Sequence, residues 1–257
     1  MAYNKLNLDG KIAVVIGGTS GIGRACAHGF AEAGARAVVA SSRRSEEVEH
    51  TAAELEARGV ETVRRTVDVV SKSALVELRD AVVGAFGRVD ILLNAAGRTK
   101  KGPTLEFAEE DWDSILDCNL KGSFLAAQVF GAQMAAQGKG KIINIASLGS
   151  FVSLSEAVPY CVSKSGVAML TKCLGSEWAP RGVNVNAIAP GVFRTPLNTH
   201  LLDIPERKAR ILGHTPMQRF GDVEELKGAA IFLASEASDF VTGEILAVDG
   251  GFLAMGI

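Results

Sequence analysis

The start of the sequence combines an apolar run, a glycine-rich turn and a helical pattern, and this combination restricts the fold more than any other feature. Residues 11–16 are mostly apolar, glycines stand at Gly17, Gly21 and Gly23, and apolar periodicity continues to residue 33. Strand, glycine turn and helix in this order are typical of a nucleotide-binding βαβ unit, whose glycines let the backbone approach a pyrophosphate at a helix N-terminus. An ordinary turn between strand and helix is the alternative interpretation.

The same alternation of strands and helices continues along the whole chain. Further strands are predicted at residues 37–40, 62–67, 89–93, 141–146, 183–189 and 244–248. Their Val, Ile and Leu content is typical of parallel strands that are buried on both faces. Because the 257 residues contain no repeat or low-complexity linker, the sequence predicts one doubly wound α/β domain over residues 1–257. Within it, the polar segment 192–218 is predicted to form a substrate loop.

Composition and charge exclude several classes of partner. A formal net charge of −2 argues against nucleic acid and against an anionic membrane surface. The first residues lack the apolar core of a signal peptide, and no uncharged apolar run is long enough to span a bilayer, so a cytoplasmic location is expected. The four cysteines are scattered and the four histidines show no metal-ligand spacing, so we expect reduced thiols and no metal site.

The end of the second predicted strand bears on the choice of cofactor. In a dinucleotide-binding fold, an acidic residue there binds the ribose 2′-hydroxyl and excludes a 2′-phosphate. This chain has Ser41, Ser42, Arg43 and Arg44 instead. Hydroxyl and guanidinium groups suit a 2′-phosphate, so the sequence favours NADP. The alternative is that the two arginines only begin a solvated helix, which leaves NAD open.

Tyr160 and Lys164 are four residues apart, a spacing that places both side chains on one face of a helix. An ammonium group near a phenol stabilises the phenolate and lowers the tyrosine pKa, which prepares the tyrosine for proton transfer. Ser147 follows the predicted strand 141–146, where its hydroxyl could donate to an oxygen that the tyrosine protonates. Because Tyr-x-x-x-Lys is frequent by chance, its meaning depends on the rest of the chain.

Together these residues resemble the single-domain branch of the short-chain dehydrogenase/reductase family. The resemblance runs from about residue 8 to the C-terminus. The matching features are Gly17-x-x-x-Gly21-x-Gly23, Asp68, Asn94-Ala-Ala-Gly97, Asn119, Ser147, Tyr160-x-x-x-Lys164, Pro190-Gly191 and Thr195. Two positions depart from the family pattern, since Ile16 stands in place of a threonine and Ala95 in place of a second asparagine. Neither departure affects the catalytic groups.

The resemblance implies a Rossmann-like parallel sheet of seven strands with helices on both faces, usually assembled as a homotetramer. It implies that Tyr160 is the general acid/base, that Lys164 lowers its pKa and holds the nicotinamide ribose, and that Ser147 polarises the substrate carbonyl. Asn119 would position a water in a proton relay. The cofactor would be bound by Gly17, Thr19, Ser20, Gly21, Ile22, Gly23, Ser41, Ser42, Arg43, Asp68, Val69, Asn94, Ala95, Ala96, Gly97, Tyr160, Lys164, Pro190, Gly191, Val192 and Thr195.

The function that the resemblance implies is NAD(P)-dependent interconversion of a secondary alcohol and a ketone. The C-terminal part of the chain looks like that of sugar-acid dehydrogenases such as gluconate 5-dehydrogenase, and it is also similar to 3-oxoacyl-carrier-protein reductases. A non-catalytic dinucleotide-binding protein, an isomerase and a dehydratase are further alternatives on this scaffold. Arg98, Lys100 and Lys101 stand near the expected substrate mouth. One of them would bind a substrate carboxylate, unless all three are exposed loop charges.

Overall fold

The sheet contains six parallel strands in the computed structural model, which describes residues 4–195 and 198–256. Its strand order is β2-β1-β3-β4-β5-β6. The strands are β1 (Ile12–Ile16), β2 (Ala37–Ser41), β3 (Ile91–Asn94), β4 (Gly140–Ile145), β5 (Val183–Pro190) and β6 (Ile245–Val248). The order reverses between β1 and β3, which are neighbours although β2 separates them in the chain. The predicted doubly wound α/β fold is therefore confirmed.

Helices cover both faces of the sheet. They are α1 (Gly21–Glu32), α2 (Ser45–Glu56), α3 (Lys72–Phe86), α4 (Glu109–Leu116), α5 (Gly122–Gln137), α6 (Val158–Trp178), α7 (Thr199–Leu202), α8 (Pro205–Gly213) and α9 (Lys227–Ala234). Alternate residues of β1 point to opposite faces, so that Val15 packs in one core with α1 and α9 while Val14 packs in another with α3 and α5. The apolar runs of the sequence are thus buried on both faces, as parallel strands require.

The predicted third strand at residues 62–67 is wrong, and the sheet described by the structure has six strands instead of seven. The segment runs beside β2 and its backbone is joined to it by an isolated bridge at Glu61 and by the N–H of Val67, which donates to a carbonyl just after β2 (2.9 Å). The hydroxyl of Ser41 also donates to the carbonyl of Arg65. Arg64 and Arg65 are paired with carboxylates of α2 and α3. These contacts join the segment to β2 and to the neighbouring helices without a regular ladder.

The predicted substrate loop at 192–218 contains two short helices, α7 and α8; its residues 196 and 197 lie outside the described part of the chain. Helix α9 is preceded by a 3-10 turn, Val223–Leu226, which is closed by a capping box between Asp222 and Glu225. No helix among the residues described has the length and apolarity needed to cross a membrane.

Candidate active site

The glycine turn after β1 brings two loops into direct contact. Gly17 has a φ of +77°, and a Cβ atom built on it would lie 2.6 Å from the backbone nitrogen of Ala96. A Cβ on Gly23 would lie 2.1 Å from the carbonyl oxygen of Gly17. Only glycine fits at these positions, so the turn packs tightly against the loop that follows β3. The turn places six predicted cofactor residues at the start of α1, namely Gly17, Thr19, Ser20, Gly21, Ile22 and Gly23.

The N-terminus of α1 is suited to bind an anion. Its first N–H groups have no acceptor within the helix, and the side chain of the N-cap residue Ser20 makes no hydrogen bond to them. The segment after β5 reaches this turn, since a Cβ on Gly21 would lie 3.6 Å from the side chain of Thr195. Gly191 is held there by a hydrogen bond to Val248 (2.8 Å). Thr195 therefore lies against the glycine turn, while Pro190, Gly191 and Val192 lead to it from the end of β5.

At the end of β2 the four candidate residues have different environments. The hydroxyl of Ser41 is fully buried and donates to the carbonyl of Arg65, so it serves the fold instead of facing a ligand. Arg44 pairs with Glu47 (2.5 Å), which also accepts a hydrogen bond from Thr19 (3.0 Å).

Arg43 differs from its neighbour Arg44. It is exposed and has no carboxylate partner within 4 Å among the residues described. Burial raises the pKa of Cys118, and the positive charges of Arg98, Lys164 and Arg43 oppose that rise. Ser42 beside Arg43 is half-buried and accepts from the Arg44 N–H (3.3 Å).

The predicted adenosine-side residues follow the next strands of the sheet. Asp68 is half-buried and accepts from the N–H of Val70 (3.3 Å), whereas the side chain of Val69 is buried. Asn94 ends β3, and its amide donates to Asn144 of β4 (2.9 Å), while its own Oδ1 has no partner among the atoms described. Ala95, Ala96 and Gly97 continue from Asn94 along the glycine turn. Of these residues, Ala95 and Ala96 pack directly against the glycine turn.

Three of the four predicted catalytic residues meet where β4 ends and α6 begins. Ser147 follows β4, and its hydroxyl accepts from the N–H of Gly149 (3.1 Å). Tyr160 lies in the first turn of α6, and the amine of Lys164 lies 5.9 Å from the centre of its ring. Lys164 is 5% exposed and donates to the carbonyl of Ile145 (2.6 Å). Two of its three N–H donors are left without a partner in the described residues.

Burial dominates the ionisation of this pair. It raises the pKa of Tyr160, and a hydrogen bond with Ser147 opposes the rise. It lowers the pKa of Lys164 to about 8. In the protein alone, the net shift of the tyrosine pKa is therefore upward, whereas the motif predicted a lowered pKa. Tyr160 is protonated at neutral pH, which is the form that an acid catalyst requires.

Asn119, the fourth predicted catalytic residue, connects this pair to the loop after β3. It is fully buried in a π-helical turn between α4 and α5. Its side chain accepts from the N–H of Arg98 (2.8 Å) and donates to the Arg98 carbonyl (3.0 Å) and to Ser163 (3.0 Å). Ser163 donates in turn to the carbonyl of Tyr160 (2.7 Å). Sequence analysis did not single out Ser163, although its position three residues after Tyr160 places it on the inner face of α6.

The three basic residues that follow Gly97 are not equivalent. The guanidinium of Arg98 donates to Ser114, and Lys100 pairs with Asp111. Lys101 is half-buried and donates only to the carbonyl of Ser155 (3.1 Å). Lys100 is thus neutralised within the protein, whereas the charges of Arg98 and Lys101 have no carboxylate partner within 4 Å among the residues described.

A cavity of about 430 Å³ lies beside the segments that follow β5 and β6. Val192 and Phe193 line it, together with the ion pair between Arg219 and Glu225 (2.6 Å). None of the four predicted catalytic residues faces it, so this cavity is separate from the cleft above the glycine turn. Within the described part of the chain, no cluster of His, Cys, Asp and Glu side chains is arranged to hold a metal ion.

Comparison with known proteins gives matches along nearly the whole chain. A family model described as "Enoyl-(Acyl carrier protein) reductase" matches residues 17–253. The chain is 40% identical to 2-dehydro-3-deoxy-D-gluconate 5-dehydrogenase of Dickeya dadantii (strain 3937), over 99% of this chain and 100% of that one. It is 41% identical to D-threitol dehydrogenase of Mycolicibacterium smegmatis (strain ATCC 700084 / mc(2)155), over 95% of this chain and 94% of that one.

Solved structures also match the chain along nearly its whole length. A gluconate 5-dehydrogenase from Burkholderia cenocepacia J2315, in complex with NADP and tartrate, superposes with a TM-score of 0.95 and 39% sequence identity. The match covers 98% of this chain and 99% of that one. The glycine turn, the strand ends and the Tyr160/Lys164 pair all lie within the span that these proteins share with the chain.

Proposed function

The chain belongs to the short-chain dehydrogenase/reductase family of NAD(P)-dependent oxidoreductases, and from this premise we propose that it interconverts a secondary alcohol and a ketone on a sugar acid, with NADP as the cofactor. The observation that carries the proposal is the meeting of Ser147, Tyr160 and Lys164 at the carboxyl edge of the sheet, beside the glycine turn. In doubly wound sheets, ligands bind at this edge, where the strand order reverses.

The residues present fit a dinucleotide. The free N–H groups of α1 would hold the pyrophosphate, and Arg43 the 2′-phosphate. The two unused N–H donors of Lys164 suit the hydroxyls of the nicotinamide ribose. Asp68 would meet the adenine, and the segment from Pro190 to Thr195 the nicotinamide carboxamide. When bound, the cofactor supplies or accepts the hydride.

Residues of the protein itself donate and accept the proton. In reduction, the neutral phenol of Tyr160 donates its proton to the substrate carbonyl oxygen, and in oxidation the phenolate takes a proton from the hydroxyl. Ser147, which shares a hydrogen bond with Tyr160, would donate to the same oxygen. The charge of Lys164 would stabilise the phenolate once the proton has left.

We propose that Asn119 stabilises this arrangement through its hydrogen bonds to Arg98 and Ser163. Its side chain accepts from the N–H of Arg98 and donates to Ser163, and its backbone carbonyl accepts from Ser123 (2.7 Å). Asn119 therefore acts as a positioning residue that fixes the loop after β3 against α6.

Sugar acids are favoured as substrates because several of the similar proteins act on them by name, and because the substrate end of the cleft is basic at Lys101. A neutral polyol is the second candidate, favoured by the similarity to a D-threitol dehydrogenase. Both substrates offer the same reacting group, a secondary alcohol. They differ in the carboxylate, which only the first requires the site to bind.

We further propose that the protein is a homotetramer in the cytoplasm. The outer face of α6 exposes Val162 and Met169, and Phe124 of α5 is exposed as well. Exposed apolar side chains on adjacent helices are typical of subunit interfaces. The free cysteines suit a reducing compartment. Sedimentation velocity of the purified protein tests the assembly, and a monomer at micromolar concentration would contradict it.

The catalytic proposal is tested with Tyr160→Phe. We expect NADPH-dependent reduction of 5-ketogluconate by the wild-type protein and a fall in kcat of roughly 10²- to 10⁴-fold in the variant, because the proton donor is lost. The dissociation constant of NADPH, measured by fluorescence titration, serves as the control and should change little. A variant that keeps near-normal kcat would show that another group supplies the proton.

A further inference from the structure

The glycine turn, the end of β2 and the first turn of α2 meet at one place. Two backbone N–H groups of the glycine turn donate to the carbonyl of Ser41 (2.8 and 3.2 Å), which joins the turn to the end of β2. Glu47 of α2 reaches the same junction, where its carboxylate accepts from the hydroxyl of Thr19 (3.0 Å) and pairs with Arg44 (2.5 Å). A carboxylate from a helix is thus fixed between the glycine turn and the segment that follows β2.

This junction is where a dinucleotide-binding fold distinguishes between its two cofactors. In that fold, an acidic residue near the end of the second strand accepts a hydrogen bond from the ribose 2′-hydroxyl of NAD, and its charge excludes the 2′-phosphate of NADP. The strand end of this chain provides no acid, because residues 41–44 are two serines and two arginines. Glu47 brings a carboxylate to the same place from a different element. Sequence analysis missed it because it considered only the residues that directly follow the strand.

The carboxylate of Glu47 can contact a ligand in spite of its two partners. Both contacts are made by its Oε2 atom, so its Oε1 atom can still accept a hydrogen bond from a hydroxyl group. The side chain of Arg44 is 66% exposed, and an ion pair with so exposed an arginine is weak. Arg44 therefore neutralises only part of the charge of Glu47, which can still repel a second anion.

We propose that Glu47 sets the preference between the two cofactors, because it accepts a hydrogen bond from the 2′-hydroxyl of NAD and opposes the 2′-phosphate of NADP. The inference rests on the proposed oxidoreductase function and concerns the cofactor end of the same cleft. Arg43, which is exposed and has no carboxylate within 4 Å among the residues described, attracts the 2′-phosphate. The site thus has one group for each cofactor, and Glu47 reduces the advantage that Arg43 gives to NADP. The protein therefore accepts NAD as well as NADP.

The test compares NADH with NADPH, which differ only at the ribose 2′ position. Their dissociation constants are measured by fluorescence titration for the wild type and for Glu47→Gln, and we expect the wild type to bind both. In Glu47→Gln the dissociation constant of NADH should rise by roughly 5- to 10-fold, because a charge-assisted hydrogen bond is lost. The dissociation constant of NADPH should fall by roughly 3- to 10-fold, because a negative charge beside the 2′-phosphate is removed.

Glu46→Gln is the matched control, because Glu46 is the adjacent, exposed acid in the first turn of α2, and it should change either dissociation constant by less than about two-fold. The inference is overturned if Glu47→Gln leaves the ratio of the two constants unchanged, if Glu46→Gln shifts that ratio as much, or if the wild type does not bind NADH. A wild type that binds neither cofactor overturns the proposed function as well. A shifted ratio without oxidation of gluconate instead rejects the proposed reaction and leaves the role of Glu47 supported.

Discussion

Lys164 carries a charge that the fold buries without a carboxylate partner, and this burial should be measurable as a dependence of stability on pH. Its pKa is lowered from 10.5 to about 8, so the unfolded chain holds the proton more tightly than the folded protein does. A difference of this size corresponds to a destabilisation of about 3 kcal/mol when the lysine is charged in both states. The substitution that removes the charge and keeps the length of the side chain is Lys164→Met.

The sign of the effect follows from proton linkage. Below about pH 8 both states of the wild type are protonated at Lys164, and the full destabilisation is present. Between about pH 8 and 10.5 only the unfolded chain binds the proton, so the free energy of unfolding rises with pH. From pH 7 to pH 9.5 the wild type should therefore gain about 2 kcal/mol relative to Lys164→Met.

Urea unfolding of both proteins without cofactor, at pH 7 and at pH 9.5, measures this difference. Any constant effect of the substitution on packing, or of losing the hydrogen bond to Ile145, cancels because only the change between the two pH values is compared. Lys172→Met, on the exposed side of the same helix, controls for the loss of a lysine. If the stability difference between wild type and Lys164→Met were the same at both pH values, the ammonium would not be desolvated and the argument would be wrong.

Two further predictions concern the cofactor cleft. Arg43→Ala should weaken NADPH binding by roughly ten-fold or more and leave NADH binding unchanged. Arg44→Ala should weaken NADPH binding less, because the Arg44 guanidinium is already paired with Glu47. Equal losses of NADPH affinity in the two variants, measured by fluorescence titration, would contradict this prediction. Gly17→Ala should cost about 2–5 kcal/mol of unfolding free energy, from its positive φ and from overpacking. Gly59 has nearly the same φ, but a Cβ atom built on it would have no neighbour within 4 Å, so Gly59→Ala should lower the unfolding free energy by only about 1–2 kcal/mol. Equal losses for the two variants in urea unfolding would show that the contact between Gly17 and Ala96 does not affect stability.

The sequence predicts those parts of the molecule that depend on local patterns. Ser71 and Gly87 mark the two ends of α3, where Ser71 accepts from Ala74 and Gly87 adopts the left-handed conformation, as the pattern requires. The spacing of Tyr160 and Lys164 places both on one side of α6, as predicted. Each of these features depends on residues a few positions apart, so the sequence is sufficient to predict them.

Features that depend on distant residues could not be predicted in this way. Residues 62–67 have the composition of a strand, but they form no regular ladder with β2, and Arg64 and Arg65 pair with carboxylates of α2 and α3. Arg43 and Arg44 are indistinguishable in the sequence, and they differ only because Glu47 lies against one of them.

Cations without carboxylate partners follow the cleft from one end to the other. Arg43 lies at the end of β2, Lys164 beside Tyr160, and Lys101 at the loop before α6; none has a carboxylate within 4 Å in the described residues. Most of the other Lys and Arg side chains in the described part of this slightly acidic chain are paired with a carboxylate. An NADP phosphate and a substrate carboxylate would supply the missing negative charges, so the same side chains that destabilise the free protein would strengthen the binding of anionic ligands.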